Sequence, residues 1–348
     1  MSDFIEKVSS EIEDREKEVI VYEIANYPAD YTLQGLYDKW RVDEILIPKF
    51  QRKFVWTLSQ SSKLVESFLL GLPVPSIFLY KEKESQKFLV IDGQQRLKTV
   101  FGYFENLFPD TKKTFSLKNV KPKWENKFFS ELNEPDKRRL KDSVLRAVIV
   151  EQLNPKDNTS IFHIFKRLNT GGTTLKAQEI RNCIYRGKFN DLLIELNKKK
   201  EWREVIGLPN YEKRMRDIEL ILRFFALVYE HEKYKKPMGV FLSNFMDRYK
   251  NNTSGVEELK RIFEKTVLTI YKKLGSKLFR IKRGLNTSVF DSVMVAFASN
   301  LDKIPDDIKS RYKELLSNEQ YRDCIYKFTT DKKVVSQRIS LAIEKLFK

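Results

Sequence analysis

Strand signals in this chain stop near Gln152, and that asymmetry limits the folds open to it. Before that point, short β-branched and aromatic runs recur. Residues 44–47 end at Pro48, 77–81 and 87–91 flank the polar turn 82–86 as a hairpin, and Val144–Gln152 forms a last strand. A helix is expected at about 158–168. Beyond it, segments 175–198, 212–231, 239–250, 255–274, 287–300, 306–317 and 332–347 read as helices. Residues 218–228 are apolar on nearly every side, as in a buried central helix. The expected fold class is α+β, and a length of 348 residues favours more than one domain. The division expected is an N-terminal arm at 1–32 with an extended stretch at 19–27, a mixed α/β domain at 33–190, and an all-helical domain at 191–348.

Within the α/β part, Thr57 can cap a helix whose Leu64, Val65, Phe68 and Leu69 share one face, with Gly71 and Pro73 ending it. After Asp92-Gly93 the apolar period changes from two to about 3.6, with Leu97, Val100, Phe101 and Phe104 in one stripe. The chain therefore runs strand, tight polar turn, helix. A helix N-terminus attracts anions, and Arg96 in its first turn adds a two-pronged phosphate donor. Gly93 permits a sharp turn or a close ligand approach. Gln94 and Gln95 could orient a water or read a base edge, and Asp92 could hold a metal ion or act as a base. The plainer reading has Asp92 capping the helix and the others solvated.

Two further clusters are polar where a core needs nothing polar. Residues 47–56 place Gln51 and Arg52 among Phe50, Phe54 and Trp56, a mixture suited to stacking on bases and pairing with phosphates; at least two of the three aromatics are expected in the core. Residues 165–175 put Asn169 and Thr170 beside Gly171 and Gly172, whose backbone N–H groups could face a phosphate, ahead of Glu179 and Arg181.

Charge narrows the partners. The net charge is +17, and residues 1–100 hold 14 basic against 16 acidic groups while 101–348 hold 51 against 32. Such an excess favours a polyanion, most often nucleic acid. Candidate contacts are Lys198, Lys199 and Lys200, Lys235-Lys236, and Arg280, Lys282 and Arg283. Two cysteines, Cys183 and Cys324, make no disulfide framework. The acidic N-terminus lacks a leader's pattern, and no apolar run reaches the roughly 18 residues of a membrane span. A cytoplasmic protein with no membrane partner is expected. No phosphate-binding loop of the Gly-Lys-Ser/Thr type is present, so any nucleotide hydrolysis belongs to another class.

Taken in order, Pro48, Phe50-Gln51-Arg52, Trp56, the stretch 70–75, residues 91–97, 168–172, Leu175 and Glu179-Ile180-Arg181 resemble the N-terminal domain of GmrSD-type restriction enzymes, over roughly residues 33–190. Lys213-Arg214 and residues 217–223 resemble that family's helical region. The resemblance implies a ParB/sulfiredoxin-like fold. It also implies binding and hydrolysis of a nucleoside triphosphate, with Mg²⁺, coupled to sensing of modified phage DNA. On that basis Asp92, Gln94, Gln95 and Arg96 become the catalytic group, with Asp92 the metal ligand. Gln51, Arg52, Gly93, Asn169, Thr170, Gly171 and Gly172 become the nucleotide-binding set.

Many members carry a nuclease of the HNH type, which needs a metal-binding histidine and a second as base. This chain has only His163 and His231, the first within an apolar run and the second at a helix end. The leading expectation is thus a nucleotide-hydrolysing DNA sensor or effector whose nuclease is a separate protein or absent. The alternatives are a metal-dependent nickase using Asp92 with Glu179, and a nucleotide-gated DNA-binding switch without turnover.

Overall fold

The computed structural model describes residues 23–47, 54–83, 85–153, 164, 176–212, 214–250, 255–281 and 284–348. The chain divides into two compact units, Val21–Leu175 and Lys176–Lys348.

The first unit is built on a five-stranded sheet. Its strands are β1 (Ile24–Thr32), β2 (Ile45–Leu46), β3 (Ile77–Lys81), β4 (Phe88–Asp92) and β5 (Val144–Gln152), arranged β1-β5-β3-β4-β2. β1 lies antiparallel to β5, with Ile24 opposite Gln152 and Thr32 opposite Val144. β5 is parallel to β3, β3 antiparallel to β4, and β4 parallel to β2. Among the described residues the unit's α-helices are α1 (Leu33–Arg41), α2 (Leu58–Leu70), α3 (Gln94–Phe104) and α4 (Glu134–Asp142). Ile77, Leu79, Val90, Ala147 and Ile149 of the sheet form one core with Val65, Phe68, Leu69, Leu97, Val100 and Phe101.

Local chemistry starts and stops these helices as the sequence suggests. Thr57 and Gln60 make a reciprocal capping box at the start of α2, and Gly71 closes it in the left-handed region. Asn133 caps α4 through the backbone N–H of Asp136. Strand direction then positions the site. Since β2 and β4 are parallel, the chain leaves both at the same end of the sheet, and the segments after Leu46 and Asp92 start there. β5 runs the other way and ends, at Gln152, on the opposite side.

The second unit is helical: α5 (Ala177–Ile184), α6 (Lys188–Leu196), α7 (Lys200–Ile206), α8 (Arg216–Glu230), α9 (Met238–Tyr249), α10 (Val256–Leu274), α11 (Thr287–Ser299), α12 (Ile308–Ser317), α13 (Glu319–Tyr326) and α14 (Lys332–Phe347). α8 and α11 are buried along most of their length, as expected for residues 218–228. Their Phe224, Phe225 and Phe290 join Trp202 and Phe263 in an aromatic core.

The α+β class with a helical C-terminal part is what the structure contains. The single helix expected at 175–198 is instead two, α5 and α6, separated at Gly187. That glycine sits at φ 145, and a Cβ there would lie 2.2 Å from the carbonyl oxygen of Lys250, so the chain must turn and no other residue fits. Four short helices, α1, α4, α7 and α13, have too few turns to declare a period in sequence. The helix expected at 158–168 lies outside the described residues. So does part of the extended stretch expected at 19–27; the strand that is described there is β1. Among the described residues no helix is long and apolar enough to cross a membrane.

Candidate functional site

The turn between β4 and α3 is shaped by Gly93. It occupies the N-cap position at φ 97, and a Cβ there would lie 2.2 Å from Ile77 Cγ2. Glycine is thus required twice, for its backbone angle and for the close approach of β3. The close approach is made by the protein's own core. Among the described residues no side chain caps α3, so Asp92 does not spend its carboxylate on the helix.

Asp92 turns instead to Arg96. The Arg96 Nη2 donates to Asp92 Oδ2 at 2.7 Å, and Nη1 donates to the Pro75 carbonyl at 3.1 Å. The guanidinium is nearly covered, at 14% exposure, while the carboxylate is 42% exposed. One cation therefore ties the strand end to the turn after α2, and its anionic partner faces solvent. Neither residue is simply solvated.

The two glutamines separate in role. Gln94 is buried. Gln95 Oε1 accepts the backbone N–H of Val55 at 3.0 Å. One residue earlier, the N–H of Phe54 donates to Asp110 Oδ2 at 2.8 Å, and Asp110 also receives Lys98 Nζ at 2.9 Å. The Phe54 ring packs edge-on against Phe108, with centroids 5.3 Å apart, and Trp56 leans on the core. The segment that follows Arg52 is thereby fastened to α3 and the turn beyond it.

The structure thus joins the Asp92–Arg96 turn to the residues following the Gln51-Arg52 pair. Gln51 and Arg52 themselves, with Phe50, lie outside the described residues, as do Asn169, Thr170, Gly171, Gly172 and His163. Sequence reasoning missed Lys98, Asp110 and the Pro75 carbonyl. Asp110 had one visible signal: it follows Pro109 in a polar turn, and it adopts φ 56, which aspartate tolerates better than most residues.

Other candidates are absorbed into the helical unit. Glu179 is buried, and its Oε2 accepts the Lys176 N–H at 2.6 Å and Arg214 Nη1 at 3.2 Å. Arg181, 1% exposed, donates to Glu219 at 2.8 Å, to Ser243 and Gln178, and to the Gly239 carbonyl. Lys198 and Lys200 are exposed, whereas Lys199 pairs with Glu264 at 2.7 Å. Arg280 donates to the Gly207 carbonyl at 2.9 Å, and Lys282 and Arg283 lie outside the described residues. Lys235 and Lys236 are exposed, and Lys236 pairs with Asp331. His231 closes α8 through Nδ1, 2.9 Å from the Leu227 carbonyl. Cys183 and Cys324 are free and buried, and burial pushes both thiols above their ordinary range. Among the described residues no three His, Cys, Asp or Glu side chains gather as a metal centre.

Residues 33–186 match a known family, described as the N-terminal domain of the GmrSD restriction endonuclease. The match runs beyond the sheet-containing unit and takes in α5. Comparison with curated proteins found no match.

Proposed function

Since residues 33–186 belong to the family of GmrSD restriction endonuclease N-terminal domains, we propose that the chain works as a restriction-system sensor of DNA, binding and hydrolysing a nucleoside triphosphate at the Asp92–Arg96 turn. One observation carries the reading. An arginine and a half-exposed carboxylate sit at a helix start, and the Val55 N–H, three residues after Arg52 in sequence, is bonded to Gln95 of the same helix.

Each group has a part that its geometry supports. The first-turn N–H groups of α3 and the Arg96 guanidinium hold phosphate oxygens. Asp92 gives up Arg96 to the incoming phosphate and keeps a carboxylate for Mg²⁺, which commonly takes only one or two protein carboxylates beside the phosphates. The ion would neutralise phosphate charge. Gln95 and Asp110 position the 54–55 backbone. Gln51, Arg52, Asn169, Thr170, Gly171 and Gly172 remain the proposed remainder of the nucleotide set. Lys198, Lys200 and the 280–283 run are proposed DNA contacts. The proposal assigns no cutting to His163 and His231, which do not supply an HNH pair, and leaves the nuclease as a separate protein or absent. The nickase alternative draws no support from Glu179, whose carboxylate is already engaged.

The test is turnover of ATP, GTP, CTP and UTP with Mg²⁺, with and without DNA, in the wild type beside Asp92→Ala and Arg96→Ala. Loss of turnover in both variants, with folding intact, is the expected result. Binding without turnover in the wild type would make the chain a nucleotide-gated switch. No binding at all would remove the nucleotide reading.

A further inference from the structure

Between α3 and α4 the chain makes a long excursion with almost no regular secondary structure, yet it is tightly fastened. Its second half, residues 117–127, is an eleven-residue loop closed on itself: the Leu117 N–H donates to the Lys127 carbonyl at 3.0 Å and the Asn126 N–H to the Leu117 carbonyl at 2.8 Å. Asn119 and Asn126 take left-handed angles, φ 59 and 64. Neighbouring helices pin it from below. From α2, Ser62 Oγ accepts the Lys118 N–H at 2.9 Å and Glu66 Oε1 the Lys121 N–H at 2.7 Å. From α4, the buried Asp136 accepts Trp124 Nε1 at 2.9 Å.

The loop holds four lysines and one acidic residue. That acid, Glu125, is turned inward, where its two oxygens accept the Asn119 and Val120 N–H groups. The lysines are left outside. Lys121 and Lys127 are exposed and form no ion pair among the described residues. Lys118 reaches only the neutral Asn126, and Lys123 pairs with Asp136 while its side chain stays 58% exposed. Anionic groups are consumed as internal fasteners and cationic ones are displayed on a rigid frame. A long ordered loop of this kind is usually functional. Lys123 has Asp136 as its ion-pair partner and Lys121 has only the coulombic pull of Glu66, yet both side chains face outward, and such displayed lysines suit a repeating polyanion.

We infer that the 117–127 loop is a contact surface for the phosphodiester backbone of duplex DNA, centred on Lys121 and Lys127, and so a DNA contact carried by the sheet-containing unit itself. It does not depend on nucleotide turnover. The test is anisotropy titration of a labelled duplex with the full chain at several salt concentrations. The double reversal Lys121→Glu/Lys127→Glu should weaken binding at least about tenfold, and Lys121→Gln/Lys127→Gln should flatten the salt slope by about two. A control reversal at the exposed Lys303, in the other unit, should stay within about twofold. Should the double reversal fold poorly, the Gln pair decides, because it keeps a polar side chain and adds no negative charge. The inference is overturned if both double variants bind within twofold of wild type with an unchanged slope, or if the wild type does not bind duplex DNA. Nucleotide turnover, measured separately, would stand or fall by itself.

Discussion

Both units contain arginine–aspartate pairs, and they use them in opposite ways. In the helical unit, Asp291 is fully buried and takes Arg223 at 2.6 Å and Arg338 at 2.9 Å, while the buried Asp217 takes Arg203 at 2.7 Å. Both carboxylates are fully buried; the Asp291 pairs lock α8, α11 and α14 together, and the Asp217 pair ties α7 to α8. In the sheet-containing unit, Asp92 holds Arg96 at the same 2.7 Å but remains 42% exposed. The chemistry is identical and the setting decides its use. A sealed pair can only hold a fold, because breaking it strands a charge in the core. An open pair contributes little to stability and can exchange its partner for a phosphate.

The comparison breaks most decisively at Asp291. Asp291→Ala leaves two buried guanidiniums without their carboxylate and should cost about 3–5 kcal/mol, read as a shift of the chemical denaturation midpoint. Gly93→Ala comes next. The backbone angle alone costs about 1–3 kcal/mol and the overlap with Ile77 adds to it, so melting should fall clearly below that of Arg96→Ala. Arg96→Ala itself should lower stability by less than about 1 kcal/mol while abolishing nucleotide turnover. A stability loss as large as that of Asp291→Ala would show that the Asp92 pair is structural after all. Smallest is Lys199→Ala at the exposed Glu264 pair, expected within about 0.5 kcal/mol in the same denaturation assay.

Acid sharpens the contrast from another side. Burial pushes the Glu66 and Asp136 carboxyls up, but the bonds they accept outweigh it and hold both below their ordinary values: Lys63 and the Lys121 N–H at Glu66, and Trp124 and Lys123 at Asp136. Lowered folded values mean stability that is present above the ordinary carboxylate range, near pH 4, and is lost as pH falls through the folded values. Trp124 emission should therefore be flat from neutral pH to about 5 and change below about 4. Asp136→Asn should flatten that acid response.

What the sequence made legible was local. The 92–96 turn announced itself through a glycine at a change of period, α2 through Thr57 and Gly71, and β5 through its own β-branched run. What stayed hidden is long-range. Gln95 and Asp110 gain their roles from amides 40 and 56 residues away. Asp291 meets Arg223 and Arg338 across 68 and 47 residues. Nothing in a neighbouring window marks such partners, and a charged residue read alone passes for a solvated one. Gly187 shows the same thing on the backbone: the carbonyl that excludes a side chain there belongs to Lys250.

The sheet order carries a consequence for how the chain comes into being. β5, which sits between β1 and β3, is the last of the five strands to leave the ribosome, and β1 is the first. Until β5 begins to emerge at Val144, β1 has no strand to pair with, and only the β3–β4 hairpin and the short β2 contact can form. Closure of the sheet must therefore come late in synthesis, over a long span of sequence, which is slow by its nature. A nascent chain halted after α4 should remain open to protease, and one extended past β5 should become resistant in a single step.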